Sequence, residues 1–304
     1  RPQLADARAD LVRRVRRAWL EAFYLERALA VVRDNLALFE EMIAIARSQY
    51  RVGQGLQQSV LLAELERDRL LDERDRLQRR RAEAGARLAA LIADGAARLE
   101  LPAELPSLPE PPDEQALLAG LENHPSQKAA QARIEREAAG MALADSHYYP
   151  DTGVDVTYGH RPGSGPSGDA WADFISAKVR VSLPLFTPGR QDREMAAALA
   201  ERDAARRQQQ RQLLQLQRRA RSQYAAWRSA RRRAERYSEV ILPGSEQNVA
   251  SAEAAYTTGK LDFLDLVRAR IEDFEHHLKR WRVRVDAAQA RADLLYLASQ
   301  GSKP

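Results

Sequence analysis

Hydrophobic residues recur at heptad spacing over the first fifty positions of the chain. One row repeats every seven residues and a second row runs beside it, which together define an a/d seam over six heptads. The rows consist of Leu4, Leu11, Ala18, Leu25, Val32, Phe39 and Ala46, and of Val15, Ala22, Leu29, Leu36, Ile43 and Tyr50. A helix of this length extends over about 70 Å. The pattern resumes after a turn and continues to about Ile92, where Gly95 ends it, so residues 1–100 are predicted to form an antiparallel helical hairpin.

The periodicity changes twice in the middle of the chain. Five prolines between residues 101 and 112 exclude a helix there, and short helices are expected from Asp113 to Ser146, so residues 101–147 form a connection. Residues 153–160 and 175–183 then alternate with period 2, which predicts two β-strands. Because a lone hairpin is unstable in water, the β-hairpin of residues 148–189 is expected to pair with strands of this chain or of neighbouring copies.

The helical pattern of residues 190–304 contains a second copy of the first hairpin. Tyr50-Arg51-Val52-Gly53 and Tyr256-Thr257-Thr258-Gly259 lie 206 residues apart (256 − 50), and residues 1–95 align with 207–301 without a gap. Each glycine allows the chain to reverse after a helix. Ser59 is expected to cap the helix after the first turn, and Pro243 to kink the second copy. By the same alignment, a strand pair and a helical stretch are expected to precede Arg1.

The predicted fold class is therefore mainly α, with two long antiparallel coiled-coil hairpins related by duplication and one β-hairpin. Composition agrees, because 6% aromatic and 30% charged residues are typical of long helices. Although the net charge is +5, the 48 basic residues alternate with 43 acidic ones, so no nucleic-acid binding is expected. The chain has no cysteine, which excludes disulfides, and no apolar run of the length that a transmembrane helix needs.

No cluster of residues indicates catalysis, a metal site or a cofactor. His276 and His277 are adjacent on a helix and point about 100° apart, so they cannot chelate from one face. Asp262 and Asp265 lie at i and i+3, but no nucleophile or phosphate loop accompanies them, and helix capping or gate lining is expected instead of acid catalysis. The protein is expected not to be an enzyme.

The duplicated unit resembles the TolC-like outer-membrane efflux proteins, the outer membrane factors of tripartite RND-type pumps. The residues that carry the resemblance are Tyr256-x-x-Gly259-Lys260-Leu261-Asp262-Phe263-Leu264-Asp265 with its copy at Tyr50-x-x-Gly53, Tyr149-Pro150-Asp151, Leu183-Pro184-Leu185-Phe186, Gly189-Arg190 and Pro243. Their order and spacing cover nearly the whole chain. The run from Pro184 to Asp192 is similar to the branch paired with heavy-metal cation pumps.

The resemblance implies a homotrimer in the outer membrane of a Gram-negative bacterium, with most of the chain in the periplasm. Each chain then contributes strands to one transmembrane β-barrel in outer-membrane lipid, and helices to a periplasmic tunnel. The family's function is that of a passive exit duct, which a periplasmic adaptor (membrane fusion protein) joins to an inner-membrane pump. The exported substrate, metal ions or drugs, stays open.

The resemblance also places the two glycine turns at the periplasmic tip, where the duct meets the adaptor and closes. By position, the adaptor-contact residues are Val52, Gly53, Thr258, Gly259, Lys260 and Leu261. The gate candidates are Asp265, Arg268 and Ser59. Asp265 is expected to face the lumen axis, and a double acidic ring is not expected, because Arg268 occupies the second acidic position of the family.

Two other classes of protein stay open. A periplasmic adaptor or another structural coiled-coil protein accounts for long hairpins, but an adaptor has one such hairpin followed by compact β-domains. A soluble scaffold that binds acidic polymers accounts for the basic charge, but it gives no role to the alternation over Ile175–Leu183. Trimers that depend on detergent would distinguish the channel from both.

Overall fold

A computed structural model of the chain describes residues 2–92, 101–163 and 171–299. Seven α-helices, two strands and three short turns of other helix types follow one another in these ranges. They are α1 (Pro2–Arg51), α2 (Gln57–Ile92), α3 (Glu114–Gly120), a 3-10 turn (Leu121–Asn123), α4 (Pro125–Ser146), β1 (Asp151–Gly159), β2 (Phe174–Ser182), a 3-10 turn (Thr187–Gly189), α5 (Gln191–Arg236), a π turn (Tyr237–Ile241), α6 (Leu242–Thr257) and α7 (Phe263–Leu297). The expected helix end at Gly95 lies outside the described residues.

The chain divides into two compact units, residues 1–126 with 213–304, and residues 127–212. In the first unit α1 packs against both α2 and α7, and α7 also packs against α6. The two predicted hairpins, α1–α2 and α6–α7, are therefore joined side by side through α1 and α7. No helix in the three described ranges combines the length and the apolar content that crossing a membrane requires.

Aromatic side chains fill the centre of the first unit. Phe23 is fully buried; its ring stacks on Trp19 at 5.6 Å between centroids and meets Trp281 of α7 edge-on at 5.8 Å. The two tryptophans thus pack between helices. Leu4, although it also lies on the predicted seam, is 74% exposed.

Pro243 follows a π turn, Tyr237–Ile241, which interrupts the α-helical hydrogen bonding before it. Proline has no backbone N–H, and its ring clashes with the carbonyl one turn earlier. In a π turn the backbone hydrogen bonds join residues five apart instead of four. The first copy has Ala37 at the equivalent position (243 − 206), and α1 continues through it without interruption.

The proline-rich segment is ordered because arginines bind its backbone and its acids. Arg291 donates from Nε to the carbonyl of Pro109 at 2.7 Å, and Arg27 donates to the carbonyl of Pro102 at 3.2 Å. These carbonyls have no helical partner, so the guanidinium donors replace one. Leucines between the prolines pack on the aromatic core, namely Leu101, Leu105 and Leu108.

A buried histidine follows α3, whose start at Asp113 agrees with the sequence: the Asp113 carboxylate accepts from the N–H of Ala116 at 2.8 Å. His124 is fully buried, its Nδ1 lies 2.8 Å from the hydroxyl of Ser126, and its ring meets Tyr296 edge-on. Burial lowers the pKa of His124 below the ordinary 6.5. The folded protein therefore keeps this imidazole neutral.

Stability is expected to depend on the protonation of His124. Between the lowered folded pKa and the unfolded value, the unfolded chain binds more protons, so this contribution is full above about pH 6.5 and is lost as the pH falls through the folded pKa. Denaturant unfolding at neutral and mildly acidic pH measures it. A His124→Gln variant should show a weaker pH dependence of the unfolding free energy. Equal slopes for wild type and His124→Gln would contradict the assignment.

The second unit contains the β-hairpin, nearly all of α4 and the first part of α5. β1 and β2 form a two-stranded antiparallel sheet, and His160, predicted as a strand residue, lies just beyond β1. At the base of the hairpin, Tyr148 donates to the carboxylate of Asp192 at 2.6 Å, and Nδ1 of His147 lies 2.9 Å from the carboxylate of Glu194. These two contacts tie the chain before β1 to the start of α5.

Candidate functional site

The first glycine turn ends α1 in a defined backbone geometry. Gly53 has φ of +75°, a left-handed conformation. The N–H of Gln54 donates to the carbonyl of Gln49 at 2.9 Å, and the N–H of Gly53 donates to the carbonyl of Tyr50 at 3.1 Å. This pair of bonds is a Schellman motif, which satisfies the last carbonyls of a helix. The sequence prediction of a helix stop at this glycine is confirmed.

The second turn repeats this geometry 206 residues later. Gly259 has φ of +70°. The N–H of Lys260 donates to the carbonyl of Ala255 at 2.8 Å, and the N–H of Gly259 donates to the carbonyl of Tyr256 at 3.0 Å. The duplication seen in the sequence is therefore also a duplication of backbone structure.

Alanine at either turn glycine is expected to destabilise the protein. The left-handed conformation costs an L-residue about 1–2 kcal/mol, and a Cβ at Gly53 or Gly259 meets no atom within 4 Å, so the cost is conformational. Gly85 is a matched control, because it lies inside α2 with equally open surroundings. Gly85→Ala should stabilise by about 0.5–1 kcal/mol. Thermal unfolding measures the stability of all three variants. If the turn variants and the Gly85→Ala control changed the unfolding free energy in the same direction, this account would be contradicted.

The two turns lie together, because one core joins the ends of four helices. Side chains of α1 and α2 pack there with side chains of α6 and α7. Its buried members are Phe39, Met42, Ile43, Ala46, Val60, Ala63, Leu70, Val249, Ala252, Phe263, Leu266, Val267 and Ala269. We call this end of the first unit the tip.

A hydrogen bond links the two hairpins at the tip. The hydroxyl of Tyr256 donates to Oε1 of Gln49 at 2.7 Å, and the Tyr256 ring meets Phe263 edge-on at 5.8 Å. Tyr50, the equivalent of Tyr256, behaves differently: its side chain is 48% exposed, and its hydroxyl has no hydrogen-bond partner in the described part of the chain. Sequence reasoning missed Gln49, since nothing local marks a residue whose partner is 207 positions away.

The first turn exposes apolar side chains. Val52 is 67% exposed and Leu56 is 69% exposed, and Leu61 of α2 is also exposed. A groove of about 590 Å³ lies beside them between α1 and α2, and an ion pair between Arg47 and Glu64 at 2.5 Å borders it. Exposed apolar side chains surrounded by charged ones are typical of protein interaction surfaces.

The second turn is more polar. The hydroxyl of Thr258 donates back to the carbonyl of Ala254 at 3.1 Å and so satisfies a carbonyl at the helix end, although the residue is exposed. Lys260 is exposed, while Leu261 is half-buried against the shared core. The six predicted contact residues therefore lie on one tip but offer two different surfaces.

The gate candidates lie just past the turns. Asp265 and Arg268 are exposed on α7 and form an ion pair at 3.2 Å. Ser59 occupies the equivalent position of the first copy and is half-buried. The prediction that Ser59 caps α2 is wrong: the helix begins at Gln57, and Ser59 lies inside its first turn, where its N–H already donates to the carbonyl of Leu56 at 3.1 Å.

The β-hairpin has one apolar and one polar face. The register places Val154 opposite Val179 and Tyr158 opposite Ile175. The alternate positions pair polar residues or glycine in Asp155–Lys178, Thr157–Ser176, Gly153–Arg180 and Asp151–Ser182, and the last of them places Phe174 opposite Gly159. Because side chains alternate across a strand, every apolar pair projects to the same side. Val154 and Val179 are each 70% exposed, so no described residue of the chain covers this apolar face.

The histidines do not assemble a metal site in the ranges that the structure covers, where no three His, Asp or Glu side chains are placed to hold an ion. Nε2 of His277 lies 3.5 Å from Asp273 and 3.7 Å from Glu246, so this imidazole bridges α7 and α6.

Comparison with known proteins assigns the family. Residues 119–299 match the family described as outer membrane efflux protein, which is more than half of the 304 residues. The chain belongs to this family, and the resemblance read from the sequence is confirmed.

One curated relative is the cobalt-zinc-cadmium resistance protein CzcC of Cupriavidus metallidurans. It is 26% identical to this chain over 180 residues, which is 59% of this chain and 41% of that protein. The chain therefore spans less than half of that relative's length in this match.

Two solved structures share the fold. A membrane protein from Pseudomonas aeruginosa matches with a TM-score of 0.87 at 22% identity, over 98% of this chain and 70% of that one. The CmeC outer membrane channel of Campylobacter jejuni matches with a TM-score of 0.85 at 13% identity, over 99% of this chain and 64% of that one. At these identities the likeness concerns the fold, and the predicted fold class is confirmed.

Proposed function

We propose that the protein is the outer-membrane exit duct of a tripartite efflux system, a passive conduit from the periplasm to the exterior. The observation that carries this proposal is the β-hairpin with one continuous exposed apolar face. In lipid such a face is stable, and the opposite face with Asp155, Lys178 and Arg180 suits a water-filled lumen. A soluble scaffold or a periplasmic adaptor gives no role to this face.

The hairpin also supports assembly into a trimer. Both strands have one unpaired edge, and no strand edge is left open inside lipid, so the sheet must close with strands from other copies or other parts of the protein. We propose a homotrimer whose strands form one barrel, with the helical hairpins in the periplasm of a Gram-negative cell.

The conduit itself is proposed to be passive and not to catalyse a reaction. The family is one of efflux proteins, and the mixed-charge helices carry no phosphate-binding loop that would couple an energy source. An inner-membrane pump then supplies the energy, and a periplasmic adaptor joins the pump to the duct.

The tip is the proposed adaptor contact. Val52 and Gly53 present the exposed apolar turn beside the groove between α1 and α2, which suits the apolar face of a partner helix. Thr258, Gly259, Lys260 and Leu261 present a charged and less open surface. The first turn should therefore contribute most of the apolar contact, and the second should set orientation through Lys260.

The gate is proposed to lie at Asp265 and Arg268. Both side chains are exposed on the same side of α7, as residues that line a lumen must be. Their ion pair leaves little net charge, so this constriction should discriminate weakly between cations and anions. Ser59 at the equivalent position adds a neutral side chain to the same level of the tip.

Tyr256→Phe is expected to loosen the tip. The variant keeps the ring on Phe263 but removes the hydroxyl that binds Gln49, which should cost about 0.5–1.5 kcal/mol. Hydrogen exchange of the backbone amides around residues 255–261 should accelerate. Tyr50→Phe is the matched control, because the Tyr50 hydroxyl bonds to no other described residue. Equal exchange in wild type and Tyr256→Phe would show that the bond does not hold the tip.

We further propose that the duct serves a heavy-metal cation pump, since one curated relative is named for cobalt, zinc and cadmium resistance. Deleting the gene should then raise cellular sensitivity to these cations and leave sensitivity to organic drugs unchanged. The reverse pattern would assign it to drug efflux.

The channel proposal is tested by membrane fractionation and by mass measurement in an uncharged detergent. We expect the protein in the outer-membrane fraction and as a trimer. A monomer in the soluble fraction, both with and without detergent, would favour the scaffold or adaptor classes.

A further inference from the structure

The first unit contains a second groove, remote in sequence from both turns. It lies between α1, α2 and α7 and has a volume of about 650 Å³, which is within the range of small-molecule sites. Alanines line it where the seam elsewhere carries leucine, among them Ala18 and Ala84. These small side chains leave space between the three helices.

Arginine dominates the groove's lining. Six arginines line it, against the two carboxylates of Glu21 and Glu83. The arginines are Arg13, Arg14, Arg17, Arg80, Arg87 and Arg282. Arginine thus outnumbers the carboxylates in the lining itself, which favours an anionic ligand there.

The carboxylates near the groove are already occupied. Glu21 accepts from Arg80 at 3.1 Å and from Arg282 at 2.8 Å. Asp293, with only 4% of its side chain exposed, forms ion pairs with Arg13 and Arg17. Each guanidinium has five N–H donors, so these bonds leave donors unused.

Further acids at the rim reduce the excess of positive charge without removing it. Asp10 pairs with Arg13 and Arg14, and Asp286 pairs with Arg282. Glu83 accepts from Arg79 at 2.6 Å and lies 3.8 Å from Arg87. Arg87, whose side chain is 74% exposed, therefore has the weakest pairing in the groove.

An apolar surface completes the site. Ala18, Ala84 and the half-buried Leu91 line the same groove as the arginines. Apolar walls bind a hydrocarbon or aromatic body, and Arg80 and Arg87 offer donors of the geometry that sulfonate, phosphate and carboxylate groups accept.

We propose that this groove binds a small amphiphilic anion, with the apolar body against the alanines and Leu91 and the anionic head between Arg80 and Arg87. The site does not depend on the duct function, because the residues that line it belong to one chain and are neither tip residues nor residues of the β-hairpin.

Isothermal titration of the full chain in an uncharged detergent with naphthalene-2-sulfonate tests the proposal. Saturable binding of one equivalent is expected. The neutral naphthalene-2-sulfonamide should bind at least tenfold more weakly, and inorganic sulfate should not compete at equal concentration. The proposal would be overturned if the neutral sulfonamide bound as tightly as the sulfonate. It would also be overturned if inorganic sulfate displaced the sulfonate, or if no saturable binding of the sulfonate were seen.

Two pairs of variants locate the site. Arg80→Gln/Arg87→Gln should weaken binding about tenfold or more, whereas Arg74→Gln/Arg76→Gln, which removes the same charge from the same helix outside the groove, should change it less than about twofold. If both double variants lost the same binding affinity, the anion would be attracted by the overall positive charge and not by this groove, which would overturn the proposal.

A substitution at an exposed position guards against misfolding. Ala90 is exposed and lines the groove, so Ala90→Glu should repel the anion without disturbing packing. Ala86→Glu, exposed on α2 outside the groove, is its control. Unchanged binding in Ala90→Glu would place the ligand elsewhere and overturn the assignment.

Discussion

Replacing Phe23 with alanine should lower the free energy of unfolding by about 3–5 kcal/mol. Phe23 is completely buried, and its ring contacts both Trp19 and Trp281. The substitution removes apolar burial and both aromatic contacts, and it leaves a cavity that helices fixed along their whole length cannot close. This is the largest stability effect that we expect from a single side chain.

Denaturant unfolding followed by tryptophan fluorescence measures the Phe23 effect. Leu65→Ala is the control, because Leu65 is an equally apolar but half-exposed residue of α2, and its loss should stay within about 0.5 kcal/mol. If both variants lose the same stability, the aromatic core does not hold α1 against α7.

Arginines at Val154 and Val179 should abolish insertion into the outer membrane. These residues are opposite each other on the apolar face of the hairpin. At the bilayer midplane each lipid-facing arginine costs about 2–4 kcal/mol. The isolated chain should tolerate the change, because both positions are exposed to solvent in it.

A matched pair on the other face controls this experiment. Thr157 and Ser176 are also opposite each other, on the polar side, and arginines there should leave insertion intact. The measured quantity is the fraction of trimer in the outer-membrane fraction. Loss of insertion in both double variants, or in neither, would show that the two faces are not divided between lipid and lumen.

Local patterns in the sequence were sufficient for the elements and their duplication. Heptads predicted the helices, and Gly53 and Gly259 marked their ends because only glycine enters the left-handed region without strain. The alternation of Ile175 to Leu183 predicted β2, which begins at Phe174 and ends at Ser182. These features depend on residues within one or two turns of each other.

Features that depend on distant residues were not predictable. The bond between Gln49 and Tyr256 requires two hairpins to meet, and the arginine groove requires three helices. The predicted cap at Ser59 failed because a short polar residue is as compatible with the first turn of a helix as with its cap. Likewise, the exposure of Tyr50 depends on which helices face that side of the tip, and no local pattern records this.

The roles of the tip residues stay predictions. The structure brings Val52, Gly53, Gly259 and Lys260 to one end of the first unit, and Asp265 lies exposed just beyond them. Contact with an adaptor and closure of a lumen are properties of an assembly, so both roles must be tested in the assembled complex.

Conductance of the purified protein in planar lipid bilayers tests the central claim most directly. A conduit closed at its tip should give small, discrete conductance steps in the wild type and larger steps in Tyr256→Phe, with Tyr50→Phe indistinguishable from the wild type. The absence of any discrete steps in both the wild type and Tyr256→Phe would contradict the account of this protein as an outer-membrane duct.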